Sequence, residues 1–169
     1  MTLSVRWLSP ADVRVHPHPP EGVRPSCCYQ LIAPLRVQIG TTELLEIPAG
    51  FWSDGGSVPS ALWSLLCITP TDPRFFRAFL LHDFSYMVGY RDSRLICDCL
   101  LLAGAEADNA YHIRRNLVYW GVRLGGWIAW DRYRRQSRHE LQKSLTGLRC
   151  APQLRLTVAN WTRNLDGLS

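Results

Sequence analysis

The sequence predicts an α+β fold in which a small antiparallel sheet or hairpin, residues ~28–51, packs on a bundle of three to four helices, residues ~59–138. Three observations carry this. The block from Cys28 to Phe51 has strand character, with YQLIAPLRVQIG and TTELLEIPAGF on either side of the turn residues Gly40-Thr41-Thr42. After Phe51 the apolar spacing becomes helical, with helix-start and helix-stop residues at matching intervals. The 169 residues, 47% hydrophobic and 20% charged, suit one folded domain with a real core and exclude disordered, collagen-like and low-complexity chains.

Taken in order, residues 1–26 are rich in Pro and, through His16-Pro17-His18-Pro19-Pro20, favour extended backbone, so they read as an N-terminal arm or a loosely packed edge. Residues 27–145 read as the single α+β domain. Pro34 and Pro48 interrupt ladder hydrogen bonds and place the strands at an edge or beside bulges. The loop Ser53–Pro59 leads into a short apolar helix from Ser60 to Cys67, with Pro59 in its first turn. After a turn at Thr69–Pro73 a helix runs from about Arg74 to Val88 and stops at Gly89. Ser93 caps the next helix, Arg94 to about Ala107. A longer helical region covers about Asn109 to Arg138, where Gly121 and Gly125-Gly126 argue against one straight rod. The tail, 146–169, has weak strand character at Gln153–Ala159 and either adds a strand or wraps the body.

No stretch reaches the roughly 18 apolar residues of a spanning helix, so no transmembrane segment is expected; nor is a secretory signal. The net charge is +5, and eighteen of the nineteen basic residues are Arg. These are spread out except for Arg132, Arg134, Arg135 and Arg138, which suit a solvated helix face, with nucleic acid or an anionic envelope polymer as the alternative partner. Six cysteines lack both zinc-knuckle and disulfide-framework spacing and read as reduced, buried small hydrophobes. Trp120, Trp127 and Trp130, with Tyr119 and Tyr133, fall on helical spacing and suit core packing, a partner surface or a sugar platform.

The chemistry concentrates around residue 82. His82 and Tyr86 are four apart on one helix face, with Asp83 beside them, amid Phe75, Phe79, Leu80 and Met87. Polar groups in such a setting need partners. Asp54, in a loop whose Gly55 and Gly56 allow close backbone approach, stands upstream; Asp98 stands downstream, with Arg94 one turn before it as a local ion-pair partner. Asp54, His82, Asp83 and Asp98 together form an oxygen-rich set suited to Ca²⁺, Mg²⁺, Mn²⁺ or Zn²⁺. The competing reading is a buried network that pins loop 53–59 to the helices. Ser57 suits a loop or cap hydroxyl better than a nucleophile, because no nucleophile elbow surrounds it.

The runs IPAGFWSDGGSVPSALW, AFLLHDFSY, SRLICDCLLLAGAE and VYWGVRLGGWIAW resemble the phage and prophage family catalogued as domain of unknown function 1353. Its pattern is a Pro-x-Gly-Phe-x-x-Asp-Gly-x-Ser-x-Pro loop, a His-Asp-x-x-Tyr helix, a Ser-Arg-x-x-x-Asp helix and a Val-Arg-x-x-Gly segment. The resemblance spans about residues 28–130, marks Asp54, Ser57, His82, Asp83, Tyr86, Arg94 and Asp98, and implies a phage-encoded protein without an assigned activity. His-Asp-x-x-Tyr is also similar to the helix of secreted phospholipases A2. That likeness implies His82 as base toward water, Asp83 as Ca²⁺ ligand with carbonyls of loop 54–57, and Asp98 as the acid orienting His82. It departs in lacking that family's flanking cysteines and in adding Asp54.

The expected function is a phage-encoded, metal-dependent hydrolase of a cell-envelope polymer or lipid, in the host cytoplasm or the virion. His82, Asp83, Asp98 and Tyr86 would be catalytic; Ser57, Gly55, Gly56 and Arg94 would bind; Asp54, His82, Asp83 and Asp98 would hold the ion. The alternative is a virion or tail-associated assembly protein in which the cluster is structural and other phage proteins are the partners.

Overall fold

The structure, a computed structural model, describes residues 3–21, 23–56, 69 and 71–135. The expected helix Ser60–Cys67, Ser57, Arg138 and the tail 146–169 lie outside the described residues.

Strand β4 (Leu35–Ile39) buries Leu35, Val37 and Ile39 and exposes Arg36, the two-residue alternation of a half-buried strand. Gly40 turns the chain at φ +63° into β5 (Glu43–Ile47), whose Leu45 and Ile47 pair with Val37 and Leu35. β1 (Val5–Trp7) adds antiparallel to β4, giving the order β1-β4-β5. A second antiparallel sheet has the order β2-β3-β6, from β2 (Val13–Val15), β3 (Tyr29–Leu31) and β6 (Trp52–Ser53). The fold is α+β, with two three-stranded sheets where the sequence suggested one over residues 28–51. Residues 3–21, read from the sequence as an arm or a loosely packed edge, supply an edge strand of each sheet. Their strands are three residues long, with Pro10 between them and Pro17 after the second, so cross-strand partners, not periodicity, decide their state, and an edge position tolerates the prolines.

Helix α1 (Phe76–Val88) is the central element, burying Ala78, Phe79, Leu80, Leu81, His82, Phe84, Ser85 and Tyr86. Gly89 ends it in the left-handed conformation, its N–H bonding back to Ser85 and Tyr86 carbonyls, as its position in the sequence suggested. After a 3₁₀ turn at Tyr90–Asp92, α2 (Arg94–Ala107) starts with Ser93 accepting from the Ile96 N–H. The expected last helical region is two helices, α3 (His112–Gly125) and α4 (Trp127–Arg135), divided at Gly126. The sheets and the inner faces of α1 and α2 meet in one core that includes Leu31, Val37, Ile47, Phe51, Leu81, Phe84 and Leu100.

Two adjacent glycines separate packing from propensity. A Cβ on Gly126 would stand 2.5 Å from the Tyr86 hydroxyl and 2.5 Å from the Val122 carbonyl, whereas one on Gly125 would meet nothing within 4 Å. Gly126→Ala should therefore cost about 1–3 kcal/mol in urea unfolding, and Gly125→Ala should be neutral or stabilising by up to ~1 kcal/mol. Equal effects would contradict this packing.

Candidate functional site

Asp98 is fully buried in α2 and accepts from three helices. From α1, His82 Nε2 lies 3.1 Å and the Tyr86 hydroxyl 2.5 Å from its Oδ1. From α3, Arg123 Nη1 donates to Oδ2 at 2.6 Å, and Arg94 Nη1 on α2 lies 3.6 Å from the same oxygen. Arg94 also donates to the Arg123 carbonyl at 2.9 Å, so the expected local ion pair is one part of a larger network. Burial alone raises a carboxyl's pKa, but the hydrogen bonds from His82, Tyr86 and Arg123 outweigh it and hold Asp98 below its ordinary value. Burial and the carboxylate acceptor push the Tyr86 phenol the other way.

An ionised Asp98 can only accept, so His82 carries its proton on Nε2 and leaves the Nδ1 lone pair unprotonated in the neutral ring. Nδ1 faces Asp83, whose Oδ1 is 4.0 Å away, too far for a direct hydrogen bond. This is the partly exposed side: the Asp83 side chain is 20% accessible, while that of Asp98 is 0%.

Loop 53–56 closes over this side. Ser53 donates to Asp83 Oδ2 at 2.5 Å and accepts from the Gly55 N–H at 2.9 Å, so one hydroxyl ties the loop to α1. Asp54 brings a second carboxyl to Asp83. Burial first, and Asp54 second, drive the Asp83 carboxyl well above its ordinary value, against the opposing Ser53 hydrogen bond and Arg24 charge. Arg24 itself is held by the Tyr133 hydroxyl at 2.9 Å. Gly55 adopts φ +75°, and a Cβ on Gly56 would stand 2.7 Å from the Phe79 ring. Gly56 thus serves the loop's packing on α1.

Of the sequence-derived set, Asp83 thus stands on the Nδ1 side of the imidazole with Asp54 as its neighbour, and Asp98 on the Nε2 side. Among the described residues no group of three or more His, Cys, Asp or Glu side chains converges as ion ligands. Asp98 is occupied by protein donors, which leaves Asp54 and Asp83 as the carboxylates suited to a hard divalent ion, completed by carbonyls, water or substrate oxygens. Three contributors escaped sequence reasoning: Arg123, Ser53 and Arg24. Arg123 had a signal in the Val-Arg-x-x-Gly segment, whose Arg reaches Asp98 and whose Gly126 makes room for Tyr86.

The remaining candidates resolve as follows. Arg134 donates to the Tyr86 and Met87 carbonyls, the last turn of α1, and Trp130 packs edge-on to Tyr86 at 5.4 Å. His16 lies 3.1 Å from the Gln30 side chain and against Trp52. Cys27, Cys28, Cys97 and Cys99 are free thiols, and burial pushes Cys97 up to about 11. No described helix is long and apolar enough to cross a membrane.

Asp98 and Asp83 should respond oppositely to pH. A depressed folded pKa adds stability above the unfolded value of about 3.9 and loses it as pH falls further; a raised one adds stability below that value and loses it as pH rises. Asp98→Asn should cost about 3–5 kcal/mol at pH 7 and flatten the acid limb of stability against pH. Asp83→Asn should be at least as stable as wild type at pH 8. Urea midpoints from pH 3 to 8 test both, and matching profiles for the two variants would refute the assignment.

The sequence profile of the family described as "protein of unknown function (DUF1353)" matches residues 29–122. Searches of curated proteins and of solved structures gave no match.

Proposed function

The chain belongs to the DUF1353 family, and from its own site we propose that it is a phage-encoded, metal-dependent hydrolase acting on a lipid or polymer of the cell envelope. The observation that carries the reading is the direction of His82: Nε2–H on a buried, ionised Asp98, and Nδ1 toward the Asp54–Asp83 carboxyl pair. In this scheme His82 Nδ1 takes the proton of an attacking water, and Asp98 stabilises the imidazolium that forms. Tyr86 and Arg123 fix Asp98 and thereby the plane of the ring. Asp54 and Asp83 would hold a divalent ion, which would supply polarisation of the carbonyl or phosphoryl group whose carbon or phosphorus the water attacks, and the His82 imidazolium returns its proton to the leaving alcohol as that bond breaks.

The donor chemistry fits. Burial and the neighbouring Asp54 carboxyl raise the Asp83 carboxyl, an electrostatic condition that a bound cation would relieve. Because a carboxyl must be deprotonated to hold a cation, affinity for Ca²⁺, Mg²⁺, Mn²⁺ or Zn²⁺ here should rise with pH. The His82–Asp98 hydrogen bond supports the roles that the phospholipase A2 likeness implies for those two residues, an analogy and not descent.

A second reading, a virion or tail-associated assembly protein, is favoured by the saturation of Asp98, whose oxygens are fully engaged with protein donors. Hydrolysis of dispersed phospholipid and of envelope polymer, measured with each divalent ion and with chelator, separates the two. Under the hydrolase reading His82→Gln lowers kcat by about 10²–10⁴, and Asp54→Asn weakens metal binding in calorimetry with little loss of stability. Absence of turnover and of metal binding in a folded wild-type chain would leave the assembly reading.

A further inference from the structure

Helix α3 turns a row of large apolar side chains to solvent. Ile113, Leu117, Trp120 and Leu124 recur at helical spacing and fall within an arc of about 60°. Ile113 is 73% exposed, Trp120 59% and Leu124 77%. On the opposite face Val118 is buried against Phe75, Phe79 and Leu101, so the helix already has its core contact and the outer row is surplus to folding. The row continues past Gly126, which keeps right-handed helical backbone and passes on the helical hydrogen-bond pattern: its N–H bonds to Val122 and its carbonyl accepts from Trp130. Trp127 and Ile128, 54% and 62% exposed, extend it onto α4. An apolar band of this length on a folded domain is a contact surface.

Charge identifies the occupant. Residues 111–135 hold six Arg against the single acid Asp131. Arg115, Arg123 and Arg134 are committed inward to Glu106, Asp98 and the end of α1. Arg114, Arg132 and Arg135 form no ion pair among the described residues. A second copy of the chain would oppose these cations with its own, and the phosphates of nucleic acid would leave the apolar row without a partner. A bilayer with anionic headgroups satisfies both, taking Trp and Leu below the headgroups and Arg among them. We propose that the α3–α4 face is an interfacial docking surface for an anionic lipid bilayer. The surface stands whether or not the His82 site is hydrolytic, because its observations and its test concern adsorption alone.

The test is co-sedimentation of the full chain with vesicles of phosphatidylcholine, alone or with about one-third phosphatidylglycerol, and tryptophan emission in the same samples. Expected are a blue-shifted emission and at least about tenfold tighter binding to the anionic vesicles, weakened in roughly 0.5 M salt. Leu124→Glu, and separately Ile113→Ser with Leu117→Ser, should lower binding about tenfold or more while thermal melting stays near wild type, since these side chains lie outside the core. Arg114→Gln with Arg132→Gln should reduce the preference for anionic vesicles. The proposal is overturned if neither vesicle binds, or if the α3 variants bind as wild type does. It is also overturned if the chain is a dimer that Leu124→Glu converts to monomer without a change in lipid binding. Hydrolysis assays play no part, so this proposal and the hydrolase reading fail separately.

Discussion

One buried carboxylate organises the helical half of the molecule. Removing Asp98 from water costs several kcal/mol, and only donors with good geometry offset it. Those donors come from α1, α2 and α3, so the three helices share one solution for register and rotation. The Tyr86 hydroxyl reaches Asp98 where Gly126 leaves the space of a Cβ empty, and Arg123 reaches it one turn before that glycine. The imidazole tautomer of His82 follows from the same constraint, because an acceptor-only partner on Nε2 decides which nitrogen carries hydrogen. Structure and chemistry are thus set by one group.

Asp83 inverts this logic fifteen residues earlier in the chain. Its burial is matched by another carboxyl instead of by a set of donors, and the single Ser53 hydroxyl and the nearby Arg24 do not reverse the effect. A fold selected for stability alone would replace Asp83 by an amide or an apolar residue. Its place beside Asp54, near the accessible side of His82, is one that the proposed role would account for and stability does not.

Much of this was legible because it is local. Gly89 and Ser93 marked the end of α1 and the start of α2, and the four-residue spacings of His82 with Tyr86 and of Arg94 with Asp98 survive as contacts with common partners. What could not be read is long-range. Arg123 lies 25 residues from Asp98, and the Val-Arg-x-x-Gly segment that marks it does not say which carboxylate it reaches. Ser53 precedes the loop residues that drew attention, and its role depends on the loop folding back on α1. β1 and β2 are too short for alternation to show, so only their pairing partners reveal them. Gly56 has a packing role that the sequence did not show: it permits the close approach of the Phe79 ring.

Helix α3 joins the two halves of the functional argument. Its inner face sends Arg123 to Asp98 and receives Arg94 on its last carbonyls, while its outer face carries the apolar row. The inner contacts are short and charge-assisted, and Trp130 on α4 rests edge-on against Tyr86. The outer row and the hydrogen bond that fixes Asp98 thus lie on one helix, with no loop between them. That placement gives the outer row a fixed geometry, which a loop bearing the same residues would lack.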